Sequence, residues 1–420
     1  MRTHGGRRRT AAIRGYAAAT IVVAASSVLA GSSGSDASAS IASMVRPQAP
    51  HPTSRPTPLL DRVRAMSLDR LLHQVLVVQV AGRRPHVVSA GAASYNDRLY
   101  GVPSPAGVVR TFHPGGIIYF SGNVSSVRQV TRLSQSLQYA AERRSGVPLL
   151  LMTDQEGGRV SRLPGPVIAA QPSARSFEGN TTAGRRSALA VGQAMRAMGV
   201  LVNLAPDADV DTVGDAGVIG DRSFGSTAGR VSAMVGAQIC GYHRSRIATT
   251  IKHWPGHGST RVDSHEALPH LHLTLPTWRR VHEPPFRAGI AAGTDLLMVG
   301  HLAYARLDPS GRPASLSRIM DHRWLRDRLH FRGVVITDAL TMGALKTFGN
   351  DGRLAVTAFR AGADLLLLDR SPRAAVAALK AAVAAGQITR AQLESSVLRV
   401  LRLEDRLGLL PGPRTLARCP

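Results

Sequence analysis

Only two of the 420 residues are cysteine, Cys240 and Cys419. That excludes a disulfide framework and a cysteine-ligated zinc site, and leaves room for at most one bridge tying down the tail. Aromatic residues make up 4% of the chain and the arginines are dispersed, so neither stacking platforms nor a recognised motif points to nucleic acid. Lysine is almost missing: Lys252, Lys346 and Lys380 are all there is. Acidic residues are scarce as well, 27 against 52 basic ones, giving a formal net charge of +25. Removing residues 1–40, with five Arg and one Asp, leaves +21. Such a charge favours anionic surroundings, among them cell-wall polymers, although a general preference for arginine is the simpler explanation.

What is present begins with a leader. Arg7, Arg8, Arg9 and Arg14 precede an apolar, small-residue run from Ala17 to Ala30 and a Gly/Ser/Ala-rich stretch to Ser40. This reads as a signal peptide over residues 1–40, cut after Ala30 or Ala39; an uncleaved membrane anchor is the other reading. The protein is therefore expected to be secreted or associated with the cell wall. Residues 41–58 are Pro-rich and read as a linker. From Leu59 onward short apolar runs alternate with amphipathic stretches: Val75–Val80, Gly116–Phe120, Pro148–Met152, Val200–Leu204, Ala248–Ile251, Asp295–Val299, Gly333–Ile336 and Asp364–Leu368. Continuous apolar runs suit parallel strands covered on both faces, and eight of them predict an α/β fold, a single (β/α)8 TIM barrel, over residues 59–415. Helices are expected over Ser125–Arg144, Ala183–Met198, Ala228–Arg246, Ser317–Leu329, Ala374–Ala385 and Arg390–Leu407, and an irregular crossover over Arg83–Pro114.

The polar residues sit directly after these runs: Asp154, Gln155 and Glu156, then Asp207 and Asp209, Lys252 and His253, His301, Asp338 and Asp369. In a barrel all of them fall on the C-terminal rim, where active sites form. Asp338, in Ile336-Thr337-Asp338-Ala339-Leu340, fits a nucleophile, a base, a metal ligand or a helix cap. Asp263-Ser264-His265 offers an imidazole that a carboxylate two residues away can hold in one tautomer for proton transfer; a local turn with solvated side chains explains the same three residues. His253, His257 and His265 raise a metal site, but their spacing matches no zinc motif, and no metal or cofactor is expected.

Five stretches, in order, resemble the β-N-acetylglucosaminidase branch of glycoside hydrolase family 3: Thr153 to Leu163, Asn203 to Val210, Gly220 to Phe224, Lys252 to His265, and Thr337 to Met342. The resemblance implies that Asp338 is the nucleophile of a retaining mechanism through a covalent glycosyl-enzyme. It implies that His265 is the acid/base and Asp263 its partner, with Asp154, Arg162, Arg222, Lys252 and His253 forming the terminal-sugar pocket. His301 and Met342 are further lining candidates, whereas Arg159 and Glu156 read as structural. Larger members carry a second sandwich domain that supplies a catalytic acid; the chain's length leaves no room for it, so the expectation falls on the dyad. The implied protein is a monomeric exo-β-N-acetylglucosaminidase acting on GlcNAc-containing cell-wall fragments, with a phosphorylase of the same family and a non-catalytic wall-binding barrel as alternatives. Gly256, Gly258 and Pro255 suggest that the arm bearing Asp263 and His265 moves, and it is expected to lie away from Asp338 without ligand.

Overall fold

A computed structural model describes residues 59–411, apart from 164, 166 and 369. The leader, the linker, Asp369 and Cys419 lie outside those residues. The eight apolar runs become eight parallel strands: β1 (Leu76–Gln79), β2 (Gly116–Tyr119), β3 (Leu150–Thr153), β4 (Val202–Asn203), β5 (Ala248–Trp254), β6 (Leu296–Val299), β7 (Val334–Thr337) and β8 (Leu366–Leu368). Each pairs with the next in chain order, β1 pairs with β8, and the Ile336–Leu365 bridge joins β7 to β8. The ring is thus nearly closed, as in a TIM barrel. β2, β3, β5, β6 and β7 are buried along their whole length, which is why they read as unbroken Val/Ile/Leu runs instead of alternating ones.

The structure adds to the helices read from periodicity. Within the stretch expected to be irregular lie two helices, Ala90–Tyr100 and Pro105–Phe112. Its Ser, Pro and Gly residues are end signals, not breakers: Ser89 and Ser104 accept the N–H groups of Ala92 and Gly107, Pro105 opens the second helix, and Gly101 closes the first at φ 75°. Helices Leu275–Val281, Glu283–Ala291 and Asp351–Ala361 also went unread. The first two carry Pro276, Pro284 and Pro285, which are tolerated in a first turn because its N–H groups have no intrahelical partner. The expected Ser317–Leu329 helix is Ile319–Arg328 in wide π-type turns. The last helix, Arg390–Leu407, matches its expected span and starts from a Thr389/Gln392 capping box.

Trp254, Trp278 and Trp324, all the tryptophan in the chain, meet behind β5. Trp254 and Trp278 are edge-on at 5.7 Å, Trp278 and Trp324 at 5.5 Å, and Phe286 packs on Trp254 at 5.2 Å. Such pairs contribute about 0.5–1.5 kcal/mol each beyond burial. Trp278 Nε1 also donates to Pro255 O at 2.9 Å, so the cluster anchors the backbone where β5 passes into its loop. Cys240 is a free, half-buried thiol. Among the described residues no helix is long and apolar enough to cross a membrane.

Candidate active site

The site grows from strand ends on one rim. β5 brings Lys252, 2% exposed, to the carboxylates that follow β3: its Nζ lies 2.8 Å from Asp154 Oδ1 and 2.6 Å from Glu156 Oε1. Arg222, on the long β4–β5 connection, grips Glu156 with both arms of its guanidinium, Nε at 2.8 Å and Nη2 at 2.9 Å. Burial alone would push Glu156 up and both cations down. The mutual pairing outweighs it, so Glu156 lies well below the usual carboxylate range while Lys252 and Arg222 lie above their ordinary values. All three are ionised at neutral pH, and the half-wet Asp154 faces out of the cluster at its rim.

Below this layer Asp207 and Asp209 follow β4. Asp209 accepts from the backbone N–H of His257 at 2.5 Å and from His253 Nδ1 at 2.7 Å. That bond leaves His253 Nε2 as the acceptor facing Arg222 Nη2 at 3.3 Å. Burial, reinforced by Arg222 and Lys252, brings His253 down to about 4 even though Asp207 and Asp338 pull the other way, so the ring is neutral. Asp207, Asp209 and His253 carry potential ligand atoms within 4.8 Å of one another, the one such group among the described residues. Arg222 Nη2 stands 3.5 Å from Asp207 Oδ2 and already supplies the positive charge there, so the donor set suits a guanidinium network better than a divalent ion.

Asp338 ends β7. Its N–H donates to Val299 O at 3.0 Å, and its Oδ1 accepts from Ala339 N–H at 2.8 Å. Burial would raise its pKa, but His253, His301, that N–H and Lys252 prevail and bring it down to about 2. It is a carboxylate at neutral pH, without a proton to give. The remaining pieces sit on the β5 loop. Asp263 Oδ1 accepts from both the backbone N–H of His265, at 2.9 Å, and His265 Nδ1, at 2.7 Å. These two side chains are 39% and 69% exposed, which leaves His265 Nε2 free to meet an incoming molecule.

A model of the family "Glycosyl hydrolase family 3 N terminal domain" matches residues 103–403. The chain belongs to glycosyl hydrolase family 3. Among its relatives, Beta-hexosaminidase A of Pseudoalteromonas piscicida is 31% identical over 73% of this chain and 55% of its own length. A Beta-hexosaminidase of Idiomarina loihiensis is 34% identical over 71% of this chain and 89% of its own. Among solved structures, a family 3 β-N-acetylglucosaminidase from Paenibacillus superposes with a TM-score of 0.75 at 34% identity, covering 84% of this chain and 65% of that one. A Beta-N-acetylhexosaminidase from Beutenbergia cavernae gives 0.69 at 27% identity over 80% and 98%. The match thus spans little more than half of the Pseudoalteromonas protein.

In this family 3 barrel Asp154, Arg222, Lys252 and His253 meet in one network. Arg162 stands apart, its guanidinium 5.8 Å over the Phe120 ring. Glu156 and Arg159 are tied inside the protein, Arg159 to the carbonyls of Val218 and Ile219 and to Asp221. His301 and Met342 are both buried beside the strand end that bears Asp338. His301 is fully buried and Met342 is 6% exposed; His301 donates from Nε2 to Ala339 O at 2.9 Å and accepts from Ser315 at Nδ1, at 2.7 Å, bracing the turn after Asp338 from behind. Asp207 and Asp209, noted in the sequence only as rim residues, are the floor that orients His253. Their D-x-D spacing at a strand end, which turns both toward one side, was the available signal.

The arm bearing the dyad is docked, contrary to the mobility inferred from its glycines. Its backbone carbonyls at Ser264 and His265 accept from Ala344 N–H, at 3.1 Å, and Gly343 N–H, at 2.8 Å, on the turn that follows Asp338. The arm's glycines serve close approach, since a Cβ on Gly258 would stand 2.1 Å from Val210 O and one on Gly256 2.8 Å from His282 Nδ1; on the facing turn a Cβ on Gly343 would stand 2.2 Å from Glu266 O. At the arm's root Ser259 Oγ contacts His282 Nε2 at 2.7 Å. Burial holds His282 down to about 4, below the roughly 6.5 of an unfolded histidine. Between those values the unfolded chain binds the extra proton, so this contribution to stability is complete above about pH 6.5 and erodes as pH falls toward 4. The stability advantage of wild type over His282→Gln, from urea unfolding, is expected to shrink by about 1.4 kcal/mol between pH 7.5 and 5.5. A pH-independent difference would show that His282 titrates alike in both states.

Proposed function

We propose that residues 59–415 form the catalytic domain of a secreted, retaining exo-β-N-acetylglucosaminidase that removes terminal non-reducing β-GlcNAc from peptidoglycan or muropeptide fragments. The observation that carries this reading is the combination of a low-pKa carboxylate, Asp338, with a solvent-reaching Asp263–His265 hydrogen bond on the adjoining loop. In the first step Asp338 attacks the anomeric carbon while His265 gives its Nε2 proton to the departing oxygen; the C1–O bond breaks and a glycosyl-aspartate forms. In the second, His265 takes a proton from water, whose oxygen displaces Asp338 and restores the β configuration. Asp263 keeps the imidazole in the Nδ1–H tautomer and supports the imidazolium. Asp154, Arg222, Lys252 and His253 bind the hydroxyls of the terminal sugar, and Arg162, outside their network, is assigned to the same sugar on the family resemblance alone.

The substrate class is supported by the names of the relatives, hexosaminidases and β-N-acetylglucosaminidases. Secretion is supported by the leader and by the name of another relative, an "Uncharacterized secreted glycosyl hydrolase" of Arthroderma benhamiae, 34% identical over 70% of this chain. The excess of arginine suits a wall rich in anionic polymers. The test is incubation with a defined muropeptide and with an aryl β-N-acetylglucosaminide, each with and without phosphate and chelator. The expected products are free GlcNAc and phenol at rates that neither addition changes. Phosphate-dependent GlcNAc-1-phosphate would make the protein a phosphorylase, binding without turnover would make it a wall-binding barrel, and loss of activity to chelator would restore a metal.

A further inference from the structure

One side-chain hydrogen bond joins the dyad arm to the buried floor of the site. His257 Nε2 and Ser264 Oγ lie 2.9 Å apart, and the two residues are only 3% and 2% exposed. Ser264 separates Asp263 from His265, so along three residues the flanking side chains reach solvent while the middle one turns inward. His257 is itself immobilised: Asp209 holds its backbone N–H and the neighbouring Gly258 is packed on Val210. The floor that orients His253 in the sugar pocket is therefore the same floor that, through His257, holds the arm.

Burial lowers His257 to about 3, so the ring is neutral. Its Nδ1 has no hydrogen-bond partner. The neutral ring can pair with Ser264 Oγ in either tautomer, as donor or as acceptor. The serine hydroxyl takes no part in proton transfer; it fixes where the next residue stands.

We propose that the His257–Ser264 hydrogen bond is a positioning device that holds His265 in register with the departing oxygen, which makes Ser264 a positioning residue for acid/base catalysis. This rests on reading His265 as the acid/base. Loss of the bond should harm the reaction only in proportion to its need for a proton. The experiment compares wild type, Ser264→Ala, Ser264→Thr and His265→Ala on aryl β-N-acetylglucosaminides, from 2,4-dinitrophenyl, which departs unaided, to phenyl, which needs the proton. Ser264→Ala is expected to lose about ten- to a hundredfold in kcat/KM on the phenyl substrate and about twofold or less on the dinitrophenyl one. Ser264→Thr, which keeps the hydroxyl, should retain the wild-type ratio, and His265→Ala should show the steepest dependence. A ratio taken on one preparation is independent of how much of it is folded. An unchanged ratio in Ser264→Ala, beside a steepened one in His265→Ala, overturns the positioning role; an unchanged ratio in His265→Ala overturns the acid/base reading on which it stands.

Discussion

Asp338→Ala is expected to lower kcat on an aryl β-N-acetylglucosaminide by roughly ten-thousandfold or more, the scale on which removing an enzymatic nucleophile acts. The side chain has little structural work that would complicate the result. Among the described residues its carboxylate accepts one hydrogen bond, from the N–H of the next residue, and the backbone around it is held independently by Val299 and, through Ala339, by His301. Asp338→Asn keeps the shape and the acceptor oxygen while removing the charge, so it should be as inactive as the alanine variant yet melt within a few degrees of wild type. Full activity in either variant would remove Asp338 from the mechanism.

Lys252→Met should fail in two ways at once. The ammonium is the shared partner of Asp154 and Glu156; without it Glu156 keeps Arg222, whereas Asp154 loses its ion pair. Breaking a buried pair by deleting one member costs about 3–5 kcal/mol, which for a domain of this size is a fall in Tm of roughly 5–15 °C. The same change takes a charge-assisted donor out of the proposed sugar site, so kcat/KM should also drop by about a hundredfold or more in the fraction that remains folded. Differential scanning calorimetry and steady-state kinetics on one preparation separate the two losses. A protein that melts like wild type but has lost activity would mean that Lys252 serves substrate alone.

The barrel was readable because burial on both faces writes each strand as an unbroken apolar run; the run after Ala248 even extends through Trp254 in the structure. The rim residues followed from the strand ends, and the roles proposed for them rest on the family resemblance. What escaped had identifiable physical reasons. The helices at Ala90–Tyr100 and Pro105–Phe112 were hidden because Ser, Pro and Gly mean "cap" or "break" according to a position of one or two residues. The docking of the arm was hidden because glycine permits both motion and close approach, and only the neighbours of Gly258 and Gly343 decide between them. Asp209 and His257 were noted as a rim residue and a metal candidate, but the contacts that join Asp209 to His253 and His257 span forty-four or more residues of sequence and were not legible from a local pattern.

The tryptophan cluster behind β5 has an optical meaning. Because every indole in the chain belongs to it, the tryptophan fluorescence of the protein comes from the β5 side of the barrel, and Trp254 immediately precedes the loop that carries Asp263 and His265. Rearrangement of that loop is thus adjacent to a native chromophore whose emission can be excited apart from that of the tyrosines.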